Sequence, residues 1–255
     1  MCKDCGCSIS GSNTHNHTHE NHTNHDHKHN QTITSNPQLN DPKTVAVITK
    51  ILDKNDKQAL HNREHFEEHN VLAINLMSSP GSGKTSFLEK LADSKLINFA
   101  VIEGDLETNK DADRIIKKGI KAYQIQTGSA CHLDAFMVHD ALHHLPLEPI
   151  DICFVENVGN LVCPASYDVG AHFDIVFLSI PEGDDKVAKY PVMFKNADLI
   201  VFSKCDLMPY FDFNIENAKK DARLLNPKVD IIEFSTKDDS IQKIANWIKF
   251  KMEMR

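Results

Sequence analysis

Ser78-Ser79-Pro80-Gly81-Ser82-Gly83-Lys84-Thr85 ends an apolar run at 71–77 and opens an amphipathic stretch that begins at Ser86. Gly81 and Gly83 let the backbone curl so that successive N–H groups point inward at a polyphosphate. Lys84 reaches toward β- and γ-phosphates and Thr85 offers its hydroxyl to Mg2+. Ser82 and Ser86 flank them where the helix N-terminus adds partial positive charge. The general pattern begins with glycine, and Ser78 stands there instead. The order strand, glycine-rich loop, helix still defines a phosphate-binding loop.

Working outward, strand-like runs recur at 71–77, 99–103, 122–126, 150–156, 174–180, 199–203 and 229–234, with helical patterns at 86–93, 111–118, 133–145, 215–225 and 241–251. Continuous apolar, β-branched runs separated by helices predict a mainly parallel, seven-stranded sheet covered on both faces. The fold class expected is therefore α/β, a P-loop NTPase, preceded by a disordered metal-binding arm. Residues 71–255 form the nucleotide domain in this reading and 41–70 an N-terminal helical segment. Residues 1–40 are the arm, ending in Asn36-Pro37 and Asp41-Pro42, which read as turn or linker signals. In such sheets ligands sit beyond the carboxyl ends of the strands, so loops leaving those ends can meet.

Two acids follow strands at that edge. Asp105 closes Glu103-Gly104-Asp105, and Glu156 opens Glu156-Asn157-Val158-Gly159. With Lys84 they are the candidate catalytic groups; each suits the magnesium shell beside Thr85 or the orientation of an attacking water. No arginine finger is evident, so slow intrinsic turnover is expected. Ser203-Lys204-Cys205-Asp206 follows the sixth strand. A carboxylate at Asp206 accepts from guanine N1–H and N2–H, donors that adenine lacks, while the Lys204 stem lies along the base. Ser235-Thr236-Lys237 follows the seventh strand as a second base-contacting loop. GTP is the nucleotide expected. The guanine-reading pattern normally starts with Asn, and Ser203 replaces it.

Cys131-His132 follows the third strand and Cys163 lies seven residues beyond Glu156. Two thiolates and an imidazole suit Zn2+ or Ni2+. Three ligands leave the sphere open to solvent or to a second subunit, and closeness to Glu156 permits coupling to nucleotide state. His139 and His143, four apart, either extend this site or form a solvated helix face, the simpler account. His61, His65 and His69 share a helical face with the same two readings. Cys153, inside a strand, and Cys205 read as packing cysteines.

The first 30 residues are unlike the rest. Cys2, Cys5 and Cys7 precede His15, His17, His19, His22, His25, His27 and His29, spaced by polar residues. Without apolar residues such a tract cannot bury a core, but thiolates and imidazoles bind soft or borderline ions. Three sulfurs and the terminal amine can surround nickel in a square plane, a geometry zinc does not prefer.

Composition narrows the classes. Among 255 residues the formal net charge is −8, so a nucleic-acid partner is not expected. No run of eighteen apolar residues suggests a membrane span. A polar N-terminus and seven cysteines used in clusters point to a cytoplasmic, reducing location.

Taken in order, these motifs resemble the hydrogenase nickel-incorporation GTPases of the HypB type, within the P-loop metallochaperone NTPases. The resemblance runs from about Leu72 to the C-terminus. It rests on Asn75 through Thr85, Glu103-Gly104-Asp105, Cys131-His132, Glu156 through Pro164, and Pro181-Glu182-Gly183-Asp184-Asp185-Lys186. The opening Cys2-Lys3-Asp4-Cys5-Gly6-Cys7 is similar to the N-terminal nickel motif of some members. The resemblance implies GTP hydrolysis coupled to nickel delivery into [NiFe]-hydrogenase. It also implies a GTP-dependent homodimer sharing Cys131, His132 and Cys163, a HypA-type nickel co-chaperone as partner, and the hydrogenase large-subunit precursor as indirect target. Two alternatives stand behind it. A urease accessory GTPase would carry Cys-Pro-His as its metal motif, which is not the pattern here. A nickel store with secondary GTPase activity would rely on the histidine tract.

Overall fold

The computed structural model describes residues 41–105 and 110–255; the arm's Cys2, Cys5, Cys7 and histidine tract lie outside the described residues. Seven strands form one parallel sheet: β1 (Leu72–Ser78), β2 (Phe99–Asp105), β3 (Lys121–Gln126), β4 (Ile152–Glu156), β5 (Phe173–Ser179), β6 (Leu199–Ser203) and β7 (Asp230–Phe234), in spatial order β3-β2-β4-β1-β5-β6-β7. The helices are α1 (Pro42–Glu68), α2 (Lys84–Ser94), α3 (Lys110–Lys117), α4 (Ala135–Leu142), α5 (Lys186–Lys189), α6 (Pro191–Lys195), α7 (Ile215–Leu225) and α8 (Ile241–Glu253). The expected seven strands are all present. The two short helices α5 and α6 carry too few turns for a periodic signal.

Strand β1 is buried along its whole length, so its side chains serve both faces in alternation. Leu72, Ile74 and Leu76 pack with Phe87, Leu88 and Leu91 of α2 and Ile241, Ile244 and Ile248 of α8. On the opposite face Ala73 meets Phe66 of α1 and Val138 and Ala141 of α4, while Met77 joins the cluster under α6 and α7. Phe87 meets Phe154 edge-on at 5.9 Å and Phe234 at 5.8 Å. With Phe177 of β5 at 5.3 Å, those rings pin α2, and with it the end of the phosphate loop, to three strands; truncating a buried Phe of this kind costs about 3–5 kcal/mol.

Asp41-Pro42 proves to be a helix start rather than a linker. Asp41 caps α1 by accepting from the Thr44 N–H at 3.0 Å, and Pro42 takes the first helical position, where its missing N–H costs nothing. Helix α1 is tied to the nucleotide domain by polar contacts as well as by Phe66. Asn62 Nδ2 donates to Ala135 O at 2.7 Å, and Asn55 Oδ1 accepts from the Ala135 N–H at 2.9 Å. Both asparagines are buried, so these bonds also fix where α4 begins.

The chain reverses direction across the sheet at β1: β2 and β4 lie on one side, β5 to β7 on the other. The crevice beyond the carboxyl ends of β1 and β4 is the place where this topology puts ligands.

Candidate functional site

Beyond the ends of β1, β2 and β4 lies a cavity of about 360 Å³, lined by Pro80 to Ser86, Glu103, Gly104, Asp105, Asp111, Arg114, Asn157 to Gly159 and Lys204, with Glu156 at its floor. Gly81 and Gly83 have φ of +73° and +98°, which only glycine adopts without strain. Gly159 answers a different demand. A Cβ there would stand 2.7 Å from Pro80 Cα, so a side chain would push into the loop backbone.

The serine at the head of the loop has a clear job. Lys84 Nζ donates to Ser78 Oγ at 2.8 Å, which a glycine could not accept. Burial holds the Lys84 ammonium below its ordinary range, with Glu156 as the first opposing influence. Thr85 Oγ1 donates to Glu156 Oε1 at 2.8 Å. Burial raises the Glu156 carboxyl and pushes Glu103 up to about 8. Glu103 Oε2 and Glu156 Oε2 are buried without a hydrogen-bond partner. Such carboxylate oxygens converging beside a threonine hydroxyl fit a hard divalent cation, which neutralises them with oxygen-only ligation.

Several residues of this cavity have no signal in the sequence. Asp111 reads as helix surface and Arg114 as a helical cation, while Glu103 stands in the Glu103-Gly104-Asp105 motif without a role of its own. Arg114 is held by Glu89 at 2.6 Å and Asp111 at 2.7 Å, so the chain itself places an arginine at the phosphate cavity. Glu182, in the stretch 181–186 whose role the residues alone leave open, braces the loop. Its Oε1 accepts from Ser82 Oγ at 2.7 Å, from the Ser179 N–H at 2.9 Å and from Ser179 Oγ at 2.6 Å.

A second cavity of about 300 Å³ adjoins the first, lined by Ser82, Gly83, Ser86, Ser203, Lys204, Asp206, Leu207, Phe234, Thr236 and Lys237. Ser203, standing in for asparagine, donates to Ser82 O at 2.6 Å, and Lys204 Nζ donates to Gly81 O at 2.7 Å. The bracing of the phosphate loop is thus kept with a shorter side chain. Asp206 accepts from Ser235 Oγ at 2.8 Å and pairs with Lys237 Nζ at 2.8 Å. Lys237, then Ser235, holds its carboxyl below the usual range. Ser235 is buried beneath the cavity and positions Asp206, whereas Thr236 and Lys237 face it.

Cys131, His132 and Cys163 come together from two loops, their ligand atoms all within 4.8 Å of one another, the one such trio found among the described residues. The two sulfurs are 2.9 Å apart and Cys131 Sγ is 3.8 Å from His132 Nδ1. His132 stacks on Tyr167 with centroids 3.9 Å apart, and burial lowers its protonation tendency, favouring the neutral ligand form. Asn160 ties the trio together: its Nδ2 donates to Cys131 O at 3.3 Å, and its Oδ1 accepts from the Cys163 N–H at 3.4 Å. Its own N–H donates to Ser78 O at 2.7 Å, at the head of the phosphate loop. Asn157 adds a second tie, accepting from the Leu133 N–H at 3.0 Å. His139 and His143 do not join this trio; they turn toward α1. Cys153 is a core cysteine whose thiol burial pushes up to about 12, and Cys205 donates to Phe202 O at 3.0 Å.

The sheet order, the loop after β1 and the acids after β2 and β4 define a P-loop nucleotide-binding α/β protein. The profile of the CobW/HypB/UreG nucleotide-binding domain matches residues 72–233, and the chain belongs to that family, in its HypB branch. It is 49% identical over 227 residues to the hydrogenase/urease maturation factor HypB of Helicobacter hepaticus, covering 87% of this chain and 93% of the relative. Its identity to the hydrogenase maturation factor HypB of Escherichia coli K12 is 44%, over 85% of this chain and 76% of that one. The structure is similar to HypB of Helicobacter pylori in complex with nickel, with TM-score 0.78 and 48% identity over 79% of this chain and 96% of that one. HypB of Archaeoglobus fulgidus aligns with TM-score 0.73 and 36% identity over 79% of this chain and all of its own.

Proposed function

We propose that this chain is a GTP-hydrolysing nickel metallochaperone that delivers nickel during [NiFe]-hydrogenase maturation. The observation that carries the reading is Asn160. One residue bonds Ser78 of the phosphate loop and both cysteine loops, so a shift in either loop is felt at the other. Relatives named as hydrogenase maturation factors, and a nickel-bound HypB of the same fold, support nickel as the cargo. Helicobacter relatives are named for both hydrogenase and urease, which adds urease as a second target of the same delivery.

In this reading Lys84 leaves Ser78 Oγ for the nucleotide phosphates and neutralises charge that develops on them. Thr85 with Asp105 or Glu156 would hold Mg2+, with Glu103 adjacent; the ion would supply charge neutralisation across the transferred phosphoryl group. Whichever of Asp105 and Glu156 is not drawn to the ion orients the attacking water. Arg114 sits locked between Glu89 and Asp111, so its charge is not free to reach the phosphates, in keeping with slow intrinsic turnover. Asp206 reads guanine by exchanging the ammonium of Lys237 for the base N–H groups. Lys237 is 73% exposed at its side chain, so this exchange disturbs little packing.

GTP binding is proposed to close a homodimer and to reshape the Cys131–His132–Cys163 site, whose incomplete sphere a second subunit can fill. The arm cysteines acquire nickel, the histidine tract stores it, and a HypA-type co-chaperone receives it, in the cytoplasm. Zinc competes for the thiolate site on intrinsic affinity. No helix among the described residues is long and apolar enough to cross a membrane.

The test measures Ni2+ affinity and oligomeric state of the full chain with GDP and with a non-hydrolysable GTP analogue. The coupled reading expects a dimer with GTP analogue and at least a tenfold difference in affinity, lost in Asn160→Ala. Equal affinities and equal oligomeric states in both would refute it.

A further inference from the structure

Histidines that are far apart in the sequence meet on the outer surface. Helix α1 carries His61 and His65, and α4 carries His139 with His143 at its end. The two helices pack through Phe66 and Val138 and are locked in register by Asn62 and Asn55 on Ala135. That register sets the rings facing each other. His139 Nε2 lies 3.3 Å from His143 Nε2, and the His61 ring centroid is 5.2 Å from that of His139. His139 Nδ1 is buried without a hydrogen-bond partner.

The spacing of the two nitrogens is informative. Two imidazoles on a tetrahedral ion with metal–nitrogen bonds of about 2.05 Å stand about 3.3–3.4 Å apart. That separation matches the bite of a bidentate chelate, one turn apart along α4, and it is also that of an imidazole–imidazole hydrogen bond, so a bound ion would take the place of the shared proton. Burial, then the charge of neighbouring imidazoles, lowers the proton affinity of His139, and burial with His69 does the same for His65. Neutral rings are the ligand form.

We propose that this α1–α4 surface is a second metal site, in which His139 and His143 chelate one borderline divalent cation, Ni2+ or Zn2+, and His61, whose ring neighbours His139 but whose nitrogens stand farther off than the ligand atoms of the cysteine trio, turns in as a third ligand. With imidazoles alone it binds more weakly and exchanges faster than a site with thiolates. Its place suits a loading station. Helix α4 begins three residues after His132, and His139 is four residues further on, about 6 Å along the axis. The site stands independently of the GTP reading, since none of its residues touches either nucleotide cavity.

The experiment uses the full chain, with Ni2+ or Zn2+ added alone in increasing amounts. Carbethoxylation of each histidine by diethyl pyrocarbonate is then followed by peptide mass spectrometry, which separates these residues from the arm. Bound metal is expected to slow labelling of His139, His143 and His61 together by tenfold or more, and the ion that does so at lower concentration is the preferred one. His139→Gln should abolish protection at His143 and His61, and His143→Gln, at an exposed position, should do the same at His139. His144→Gln, whose ring stacks on Tyr123 instead, should leave protection intact. Circular dichroism melts verify that each variant folds. Unchanged labelling at saturating metal would mean a hydrogen-bonded imidazole pair only and would overturn the proposal. So would protection of His143 that survives His139→Gln, because the arm or a distant site would then be the cause.

Discussion

Asp206 spends both carboxylate oxygens on donors of its own chain, Ser235 Oγ and Lys237 Nζ, and a guanine base offers two replacement donors at the same group. Asp206→Asn keeps the shape but presents an amide, which complements the O2 of xanthine. GTP turnover, as kcat/KM, should fall on the order of 10²-fold or more, with xanthosine triphosphate gaining. An unchanged ratio between the two nucleotides would remove Asp206 as the reader. Residue types that depart from general patterns are explained at this scale too. Ser78 receives Lys84, and Ser203 reaches Ser82 O directly; both are polar contacts that sequence spacing cannot reveal because each partner lies on another segment or turns back from the helix.

At the scale of elements, the loops after β1 and β4 behave as one unit. Pro80 lies against Gly159, and Asn160 bonds Ser78. Gly159→Ala forces a Cβ to within 2.7 Å of Pro80 Cα, and backbone rather than a flexible side chain must give way. Overpacking of this kind costs about 1–3 kcal/mol, which lowers Tm by roughly 2–12 °C in a domain of this size. Titration with a fluescent-labelled GDP should show weaker binding as well. Full nucleotide affinity in a destabilised variant would mean that the β4 loop packs on the phosphate loop without shaping it. Helix α1 is a second case: its start at Asp41-Pro42 follows cap chemistry, but its attachment through Asn55 and Asn62 follows only from its neighbour α4.

For the molecule as a whole, stability in acid depends on groups buried between α1 and the sheet. His172 Nδ1 accepts from the Ala73 N–H at 3.0 Å, which requires a lone pair there and opposes protonation. Burial first, then Arg255 and Arg63 against Glu67, lowers its pKa to about 4. A histidine lowered in the folded state gives stability that is present above the unfolded value near 6.5 and lost as pH falls toward 4, at most about 3 kcal/mol. Asp174 works in the opposite direction. Burial raises it to about 6, so its contribution is lost as pH rises from 3.8 to 6. The parent should therefore show a shallow stability profile between pH 4 and 6. In His172→Gln, denaturant melts should instead show stability falling steadily as pH rises through that interval. Parallel profiles for the two proteins would contradict the assignment to His172.

What the sequence determined by itself is local: the phosphate loop, the seven strands with helices between them, the acids at strand ends and the three candidate ligands Cys131, His132 and Cys163. Each is written in a short stretch, because periodicity, glycine at special backbone angles and ligand chemistry act over a few residues. The tertiary structure alone decided which of these stretches touch. Asn160 joining phosphate and cysteine loops, Glu182 bracing Ser82, Arg114 at the cavity and the facing histidines of α1 and α4 all depend on the crossover at β1 and on helix packing. Those contacts are set by burial of alternate faces of one sheet, a property of the whole fold that no single segment carries.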